Sequence, residues 1–251
     1  MTSNNELIIF IHLAKTGGTT LRNILDIQYG PQSLFMYKDP IIEHLNNKEK
    51  LINMLRDHIY SANAISGHFG FGMKYDEIDG QLLSQINHSR NITYISMLRK
   101  PVDRIFSQYH HYKRNNWIDS ELTFEQFIKH KLYVCNYQTL RISGTDIPSL
   151  NIAKKNILNH FALVGITDMY KESLFFMKNH FNWKNLKYNK LNSFIEHSII
   201  KSIPNELIVQ INNDNNLDVE LYEFVKDLLN EKIKSLSESQ RNELHHFSPF
   251  I

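Results

Sequence analysis

The feature that most constrains the fold is a strand that runs directly into a glycine turn and a helix, in residues 7–25. The first five residues of this stretch are all apolar, which is typical of a strand buried on both faces of a parallel sheet. Gly17 and Gly18 then allow the backbone to turn sharply and to approach a ligand closely. We expect Thr19 or Thr20 to cap the helix that follows. The N–H groups and the dipole at such a helix start form a binding site for an anion.

The side chains of this turn favour the same kind of ligand. Lys15 adds a cation, and the hydroxyl groups of Thr16, Thr19 and Thr20 add hydrogen-bond donors. Together they suit a phosphate or a sulfate group. The loop differs from a Walker A loop, G-x-x-x-x-G-K-S/T, in which the lysine follows the last glycine. Because Lys15 precedes both glycines, the sequence lacks the signature of a nucleoside triphosphatase and of its Mg²⁺-binding hydroxyl.

Strands and helices alternate in the predicted order of elements, which is the pattern of an α/β fold. We expect a P-loop-like parallel sheet flanked by helices, a mainly helical C-terminal half, and a single domain over residues 1–251. Strands are predicted at residues 7–11, 62–66, 92–98 and 161–166. Helices are predicted at residues 48–60, 78–86, 101–114, 122–132, 134–142, 151–160 and 217–236, and residues 30–46 are predicted to be irregular.

Three polar residues follow predicted strands directly, namely Lys15, His68 and Arg99. Since ligands of parallel α/β sheets bind beyond the carboxyl ends of the strands, we expect these three side chains to converge. His68 lies in a glycine-rich loop, and histidine is the usual group that removes a hydroxyl proton near neutral pH. It is therefore the predicted catalytic base. The acidic residues considered in its place are Glu43, Asp76 and Glu77.

Residues 94–109 predict a phosphate site where a strand passes into a helix. Apolar side chains recur at helical spacing along the predicted helix and form its buried face. On the opposite face we expect Asp103 and Arg104 to be solvated. The guanidinium fork of Arg99 and the hydroxyl group of Ser107 have the chemistry to bind a terminal phosphate.

Three motifs in these stretches resemble those of the sulfotransferases, in the branch that includes heparan sulfate 2-O-sulfotransferase. Residues 15–20 resemble K-T-G-G-T-S/T, and residues 66–68 resemble H/S-G-H. Residues 99–109 resemble R-D/N-P-x-x-R-x-x-S-x-Y/F, with Lys100 where the family usually has aspartate or asparagine. Weaker similarities bring the resemblance to most of the chain, at residues 135–144, 161–168 and 216–222.

This resemblance implies transfer of a sulfuryl group from 3′-phosphoadenosine 5′-phosphosulfate (PAPS) to an acceptor hydroxyl, with 3′-phosphoadenosine 5′-phosphate (PAP) as product and without a metal. It implies that His68 takes the acceptor proton and that Lys15 stabilises the charge on the leaving bridging oxygen. The acceptor is expected to carry a hydroxyl group, with saccharides as candidates. The residues that would bind the donor are Lys15, Thr16, Gly17, Gly18, Thr19, Thr20, Arg99 and Ser107.

Two other functions are compatible with an anion-binding loop. A nucleotide kinase or other phosphotransferase uses the same loop and helix dipole, but it needs Mg²⁺ ligands and a Walker lysine that this sequence does not offer. A non-catalytic nucleotide-binding module would keep the loop without a productive base. Independence from Mg²⁺ separates a sulfotransferase from the kinase. Loss of turnover with retained donor binding in His68→Ala separates it from the binding module.

Composition argues against several other classes of protein. The formal net charge is only +2, and no basic run resembles a nucleic-acid-binding arm, so no nucleic-acid partner is predicted. The one cysteine, Cys135, permits no internal disulfide, which is compatible with a reducing compartment. The N-terminal residues carry no basic segment, and their apolar run is too short to span a membrane. We therefore expect no membrane span and a cytoplasmic location.

Overall fold

The computed structural model describes residues 6–36, 48–75, 80–85, 89–184, 186 and 203–248. Within these residues, five strands form a sheet in the order β2-β3-β1-β4-β5, and every neighbouring pair is parallel. The predicted α/β fold with a parallel sheet is therefore confirmed. The strands are β1 Glu6–Ile11, β2 Ser33–Met36, β3 Ala64–Gly67, β4 Asn91–Leu98 and β5 Phe161–Ile166.

Helices precede and follow the strands and dominate the second half of the described chain, as predicted. Short 3₁₀ turns lie at Gly30–Gln32, Leu83–Gln85 and Thr167–Met169. The α-helices are α1 Gly18–Tyr29, α2 Lys48–Ser61, α3 Pro101–Arg114, α4 Phe124–Lys129, α5 Tyr137–Ser143, α6 Leu150–His160, α7 Tyr170–Phe181, α8 Asn205–Asp214, α9 Asn216–Lys234 and α10 Glu238–His246.

Strand β1 lies in the middle of the sheet because its side chains from Leu7 onward are all apolar. It pairs with β3 on one side and with β4 on the other, so that Ile8 is opposite both Ala64 and Thr93. The last three side chains of the strand are completely buried, and helix α1 packs its apolar face into the same core. The carboxyl end of β1 is thereby held between two neighbours, which fixes the start of the loop that follows it.

Two apolar clusters hold the described chain together. The larger one surrounds the sheet and includes Leu221, Val225 and Leu229 from helix α9. The smaller one joins helices α3, α4 and α8. Its fully buried members are Ile105, Phe127, Ile128 and Ile211.

Two predicted segments differ in the structure. Within the stretch predicted to be irregular, Ser33–Met36 forms the edge strand β2, which pairs with β3. Four residues are too few to show a hydrophobic period, so only pairing with β3 identifies the strand. Of the helix predicted at 78–86, the described residues contain only the 3₁₀ turn Leu83–Gln85.

Two further helices are shorter than predicted. Helix α4 begins after Thr123, which caps it by accepting from the backbone N–H of Gln126 while the Gln126 side chain accepts from the backbone N–H of Thr123. Helix α5 begins after Asn136, whose φ of 52° is left-handed and therefore cannot belong to the helix.

Candidate functional site

The loop between β1 and α1 is shaped by two left-handed residues, Lys15 with φ 68° and Gly17 with φ 79°. Gly17 is the N-cap of α1 and offers no side-chain cap. The prediction that Thr19 or Thr20 caps this helix is therefore wrong, because the left-handed turn at Gly17 starts the helix two to three residues earlier. No capping side chain occupies the N–H groups at the start of α1, which suits an anionic ligand.

Three hydroxyl groups hold this loop in place, one within the loop and two from the segment that follows β5. The Thr16 side chain is buried, and its hydroxyl donates to the carbonyl of Leu13 at 2.9 Å, so it shapes the loop rather than facing a ligand. The hydroxyl of Thr167, which follows β5, donates to the carbonyl of Thr16 at 3.1 Å. The hydroxyl of Tyr170 donates to the carbonyl of Gly17 at 3.0 Å. Neither contact has a local sequence signal, since both link segments far apart in the chain.

Arg99 joins the end of β4 to the same loop. Its Nη1 donates to the carbonyl of Lys15 at 3.2 Å. The side-chain amide of Gln138 bonds to both backbone groups of Arg99. It accepts from the Arg99 N–H and donates to the Arg99 carbonyl, each at 2.9 Å. The expected convergence of residues that follow β1 and β4 is confirmed by these contacts.

Helix α3 contains Ser107, the second residue predicted to bind a phosphate, and Arg104, whose predicted exposure is wrong. Ser107 is buried on α3. Arg104 is also buried, although a solvated side chain was predicted. The reason is tertiary, because the guanidinium lies over the ring of Tyr137 from helix α5 and donates to the Gln108 side chain at 3.0 Å. Burial lowers the pKa of this guanidinium.

His68 follows β3, and one of its ring nitrogens is held by a hydrogen bond. Its Nδ1 lies 2.6 Å from the carbonyl oxygen of His12, at the end of the neighbouring strand β1. Since a carbonyl only accepts hydrogen bonds, Nδ1 carries the proton of the neutral ring and Nε2 carries the lone pair. Burial lowers the pKa of His68, as does the charge of Arg141, and both outweigh the opposite effect of the His12 carbonyl. The ring is therefore neutral at neutral pH, as a base must be.

A buried carboxylate supports the amide that holds Arg99. Asp218, on helix α9, accepts from the backbone N–H groups of Gln138 and Thr139 at 3.0 and 2.7 Å. Its side chain has no exposed surface. Sequence reasoning assigned no role to Gln138 or Asp218, although both lie in the weaker motif similarities at 135–144 and 216–222.

Lys100 has a partner despite its departure from the family motif. Its Nζ lies 2.9 Å from a carboxylate oxygen of Asp168, which also accepts from the hydroxyl of Tyr222 at 2.8 Å. Burial raises the pKa of Asp168, but the Lys100 and Tyr222 hydrogen bonds outweigh burial and bring the pKa below its ordinary value. The ion pair ties the start of α3 to the turn after β5.

Glu43, Asp76 and Glu77, the alternative bases, lie outside the described residues. In the part of the chain that the structure describes, no group of three or more His, Cys, Asp or Glu side chains could hold a metal ion. Among the same residues, no helix is both long and apolar enough to cross a membrane.

Comparison with known proteins identifies the family. The model of the sulfotransferase family matches residues 1–225. The chain belongs to the sulfotransferase family. It is similar to the human heparan-sulfate 6-O-sulfotransferase 2, with 22% identity over 95% of this chain and 47% of the relative. It is also similar to the Danio rerio heparan-sulfate 6-O-sulfotransferase 1-B, with 22% identity over 90% of this chain and 67% of the relative.

The predicted sulfotransferase family is thus confirmed, while these two relatives are 6-O- rather than 2-O-sulfotransferases. The chain spans about half the length of the human relative. Among solved structures, it is similar to a mouse sulfotransferase complexed with PAP, with 16% identity, a TM-score of 0.38, and coverage of 98% of this chain and 90% of that one.

Proposed function

We propose that this sulfotransferase-family protein transfers the sulfuryl group of PAPS to an acceptor hydroxyl and releases PAP. The observation that carries the proposal is the meeting of three groups at the carboxyl ends of β3, β1 and β4. These groups are a neutral His68 with a fixed tautomer, the loop of Lys15 and the buried Arg99. Family membership supports the reaction class. The cytoplasmic location expected from the sequence stays a prediction.

The loop after β1 suits the 5′-phosphosulfate of the donor. We assign this group to Lys15, to the backbone N–H groups at residues 16–18, and to the hydroxyls of Thr19 and Thr20. The uncapped start of α1 and its dipole supply positive potential there. Arg99 and Ser107 are assigned to the 3′-phosphate, because a guanidinium and a hydroxyl can each donate to its oxygens.

Transfer then follows from the roles of two side chains. His68 Nε2 takes the proton of the acceptor hydroxyl while the acceptor oxygen forms a bond to sulfur. The bond between sulfur and the bridging oxygen breaks, and its electron pair stays on the 5′-phosphate of PAP. Lys15 and the helix N-terminus stabilise the charge that grows on this oxygen. His68 is returned to its neutral state by loss of the proton to solvent.

A saccharide is the acceptor class that we propose to test first. The relatives named above are heparan-sulfate 6-O-sulfotransferases, which supports a carbohydrate hydroxyl. Such a hydroxyl is aliphatic and weakly acidic, so it needs a base to remove its proton. The cationic side chain of Arg141 lies close enough to His68 to affect its pKa, and it would also favour an acidic acceptor.

Binding of the product nucleotide tests the donor assignment. PAP should raise the melting temperature through mass action on the folded protein, and ATP should raise it much less because ATP lacks a 3′-phosphate. Arg99→Ala should abolish most of the difference between the two nucleotides. Arg56→Ala, which changes an exposed arginine on helix α2, should preserve it. Equal shifts by PAP and ATP in the wild-type protein would support a kinase instead.

Turnover of labelled donor tests the transfer itself. His68→Ala should bind PAP normally but transfer sulfate to an aliphatic hydroxyl roughly 100-fold more slowly or worse, as is usual when a positioned base is removed. His245→Ala changes an exposed histidine on α10 and should have no effect. The reaction should proceed without Mg²⁺. Wild-type turnover in His68→Ala would remove this residue as the base, and absence of any transfer in the wild type would favour a non-catalytic binding module.

A further inference from the structure

His12, the residue that follows β1, contacts His68 through both its backbone and its ring. Its carbonyl oxygen accepts the Nδ1–H of His68 at 2.6 Å. Its ring contacts two others, with centroid distances of 4.6 Å to His68 and 5.2 Å to Phe10. Its backbone N–H donates at 3.0 Å to the carbonyl of Gly67, the residue before His68. The orientation of the His68 ring therefore depends on His12 more than on any other residue for which a contact is described.

The other edge of the His12 ring packs against the first residue of helix α1. A Cβ atom added to Gly18 would lie 2.1 Å from His12 Cδ2 and 2.3 Å from Nε2, far closer than any van der Waals contact. Gly18 is thus a glycine because the ring of His12 occupies the space of a side chain. One buried ring fills the gap between the base and the loop assigned to the phosphosulfate.

The charge state of His12 fits a supporting role. The side chain is only 7% exposed, and burial lowers its pKa to about 3, helped by His68 in its protonated form and by the charges of Arg22 and Lys15. Arg141 is the other cation that acts on this pair of rings, through His68. At neutral pH His12 is an uncharged flat ring, so it does not share a proton with His68 as a second base.

We propose that His12 is a positioning residue for the transfer reaction, whose ring and carbonyl hold His68 Nε2 at a fixed distance and direction from the donor loop. This inference rests on the proposed function, in which His68 is the base. The physical reason is that a base or nucleophile displaced by about 1 Å can lose about 100-fold in rate although all the reacting groups are present. Contact with the neutral ring of His12, tilted by 30°, restricts rotation of the His68 ring, and the carbonyl fixes its tautomer.

Two substitutions separate the ring from the backbone contact. His12→Ala removes the flat ring but keeps the carbonyl, and His12→Phe keeps a flat ring without nitrogen atoms. With an aliphatic acceptor, His12→Ala should lower kcat about 10- to 100-fold while the PAP dissociation constant changes less than about twofold. His12→Phe should recover most of kcat. His12→Leu, which fills the buried site without a ring, replaces the alanine variant if that variant does not fold.

A double-mutant cycle tests whether His12 acts through His68. In the His68→Ala background, His12→Ala should cost less than about twofold in the residual rate, because there is no base left to position. A full loss in that background would mean that His12 acts on the donor loop or on the fold, and it would overturn the proposal. Unchanged kcat in His12→Ala, with a large loss in His68→Ala, would overturn the positioning role and leave the proposed function intact.

A titration that needs no activity gives an independent readout. The His68 ring signal in an NMR titration is assigned by its loss in His68→Gln. In His12→Ala its pKa should rise toward the ordinary value, since one buried face becomes solvated, and in His12→Phe it should stay lowered. A His68 titration unaffected by His12→Ala would overturn the inference even if the protein proved to transfer sulfate. Wild-type turnover in His68→Ala would overturn the base assignment and the inference together.

Discussion

At the scale of single residues, the lowered pKa of His68 gives a testable pH dependence. Burial and the charge of Arg141 both disfavour the protonated ring, so the base form persists below pH 6.5, the ordinary value. The pH at which turnover falls to half its plateau should therefore lie below 6.5, because protonation of His68 removes the base. Initial rates from pH 5 to 8 at saturating donor measure this acidic limb of the pH–rate profile.

A substitution of Arg141 tests the cause of this pH dependence. Arg141→Gln removes the charge that lowers the pKa of His68, so the acidic limb should move to higher pH. An acidic limb centred above pH 6.5 in the wild-type protein would contradict the buried, neutral His68. An acidic limb that persists unchanged in the residual activity of His68→Ala would show that another group causes it.

Gly18 provides a second prediction at the residue scale, on stability. Gly18→Ala should destabilise the protein, by roughly 1–3 kcal/mol, because the new Cβ meets the His12 ring at 2.1 Å. The backbone at Gly18 is helical, so the cost comes from the contact and not from φ. In a His12→Ala background the same substitution should cost little. Urea unfolding of the two single variants and the double variant measures the coupling, and simple additivity would show that the two side chains do not compete for this space.

At the scale of elements, the sequence predicted what depends on local pattern and missed what depends on pairing. The apolar run 7–11 and the helix 101–114 are both present within a residue of the predicted bounds. Strand β2 was missed because it is short and only its pairing with β3 makes it a strand. Arg104 was misassigned because the ring that covers it comes from another helix. The supports of the site, such as Gln138 on α5, were not predicted for the same reason.

The contact between α9 and α5 gives a prediction on stability at the scale of elements. Asp218→Ala leaves the buried N–H groups of Gln138 and Thr139 without their acceptor. The free energy of unfolding should fall by roughly 2–3 kcal/mol, since hydrogen bonds to a buried charged group are involved. Asp227→Ala, on the exposed face of the same helix, should change it by less than about 0.5 kcal/mol. Equal effects of the two substitutions in urea unfolding would show that Asp218 does not support α5.

At the scale of the whole molecule, the single domain predicted over residues 1–251 remains a prediction that unfolding can test. The main core contains residues from both halves of the chain, such as Leu7 and Leu229, whereas helices α3, α4 and α8 share a separate cluster. Helix α3 belongs to this separate cluster, but its Arg104 lies over the ring of Tyr137 on α5, which packs against the main core. We therefore expect the two clusters to unfold together and not as independent units.

The two tryptophans report on different clusters, which makes this prediction measurable. Trp183 is buried in the main core and donates to the hydroxyl of Tyr29 at 3.0 Å, whereas Trp117 is exposed and lies 5.4 Å from the ring of Tyr112 on α3. Trp117→Phe and Trp183→Phe each leave one fluorescent reporter. In each variant the fluorescence transition in urea should coincide with the loss of helical circular dichroism, as expected for one cooperative unit. A Trp117 transition that precedes the loss of helix would show that the α3–α4–α8 cluster opens separately, and the chain would then contain two units.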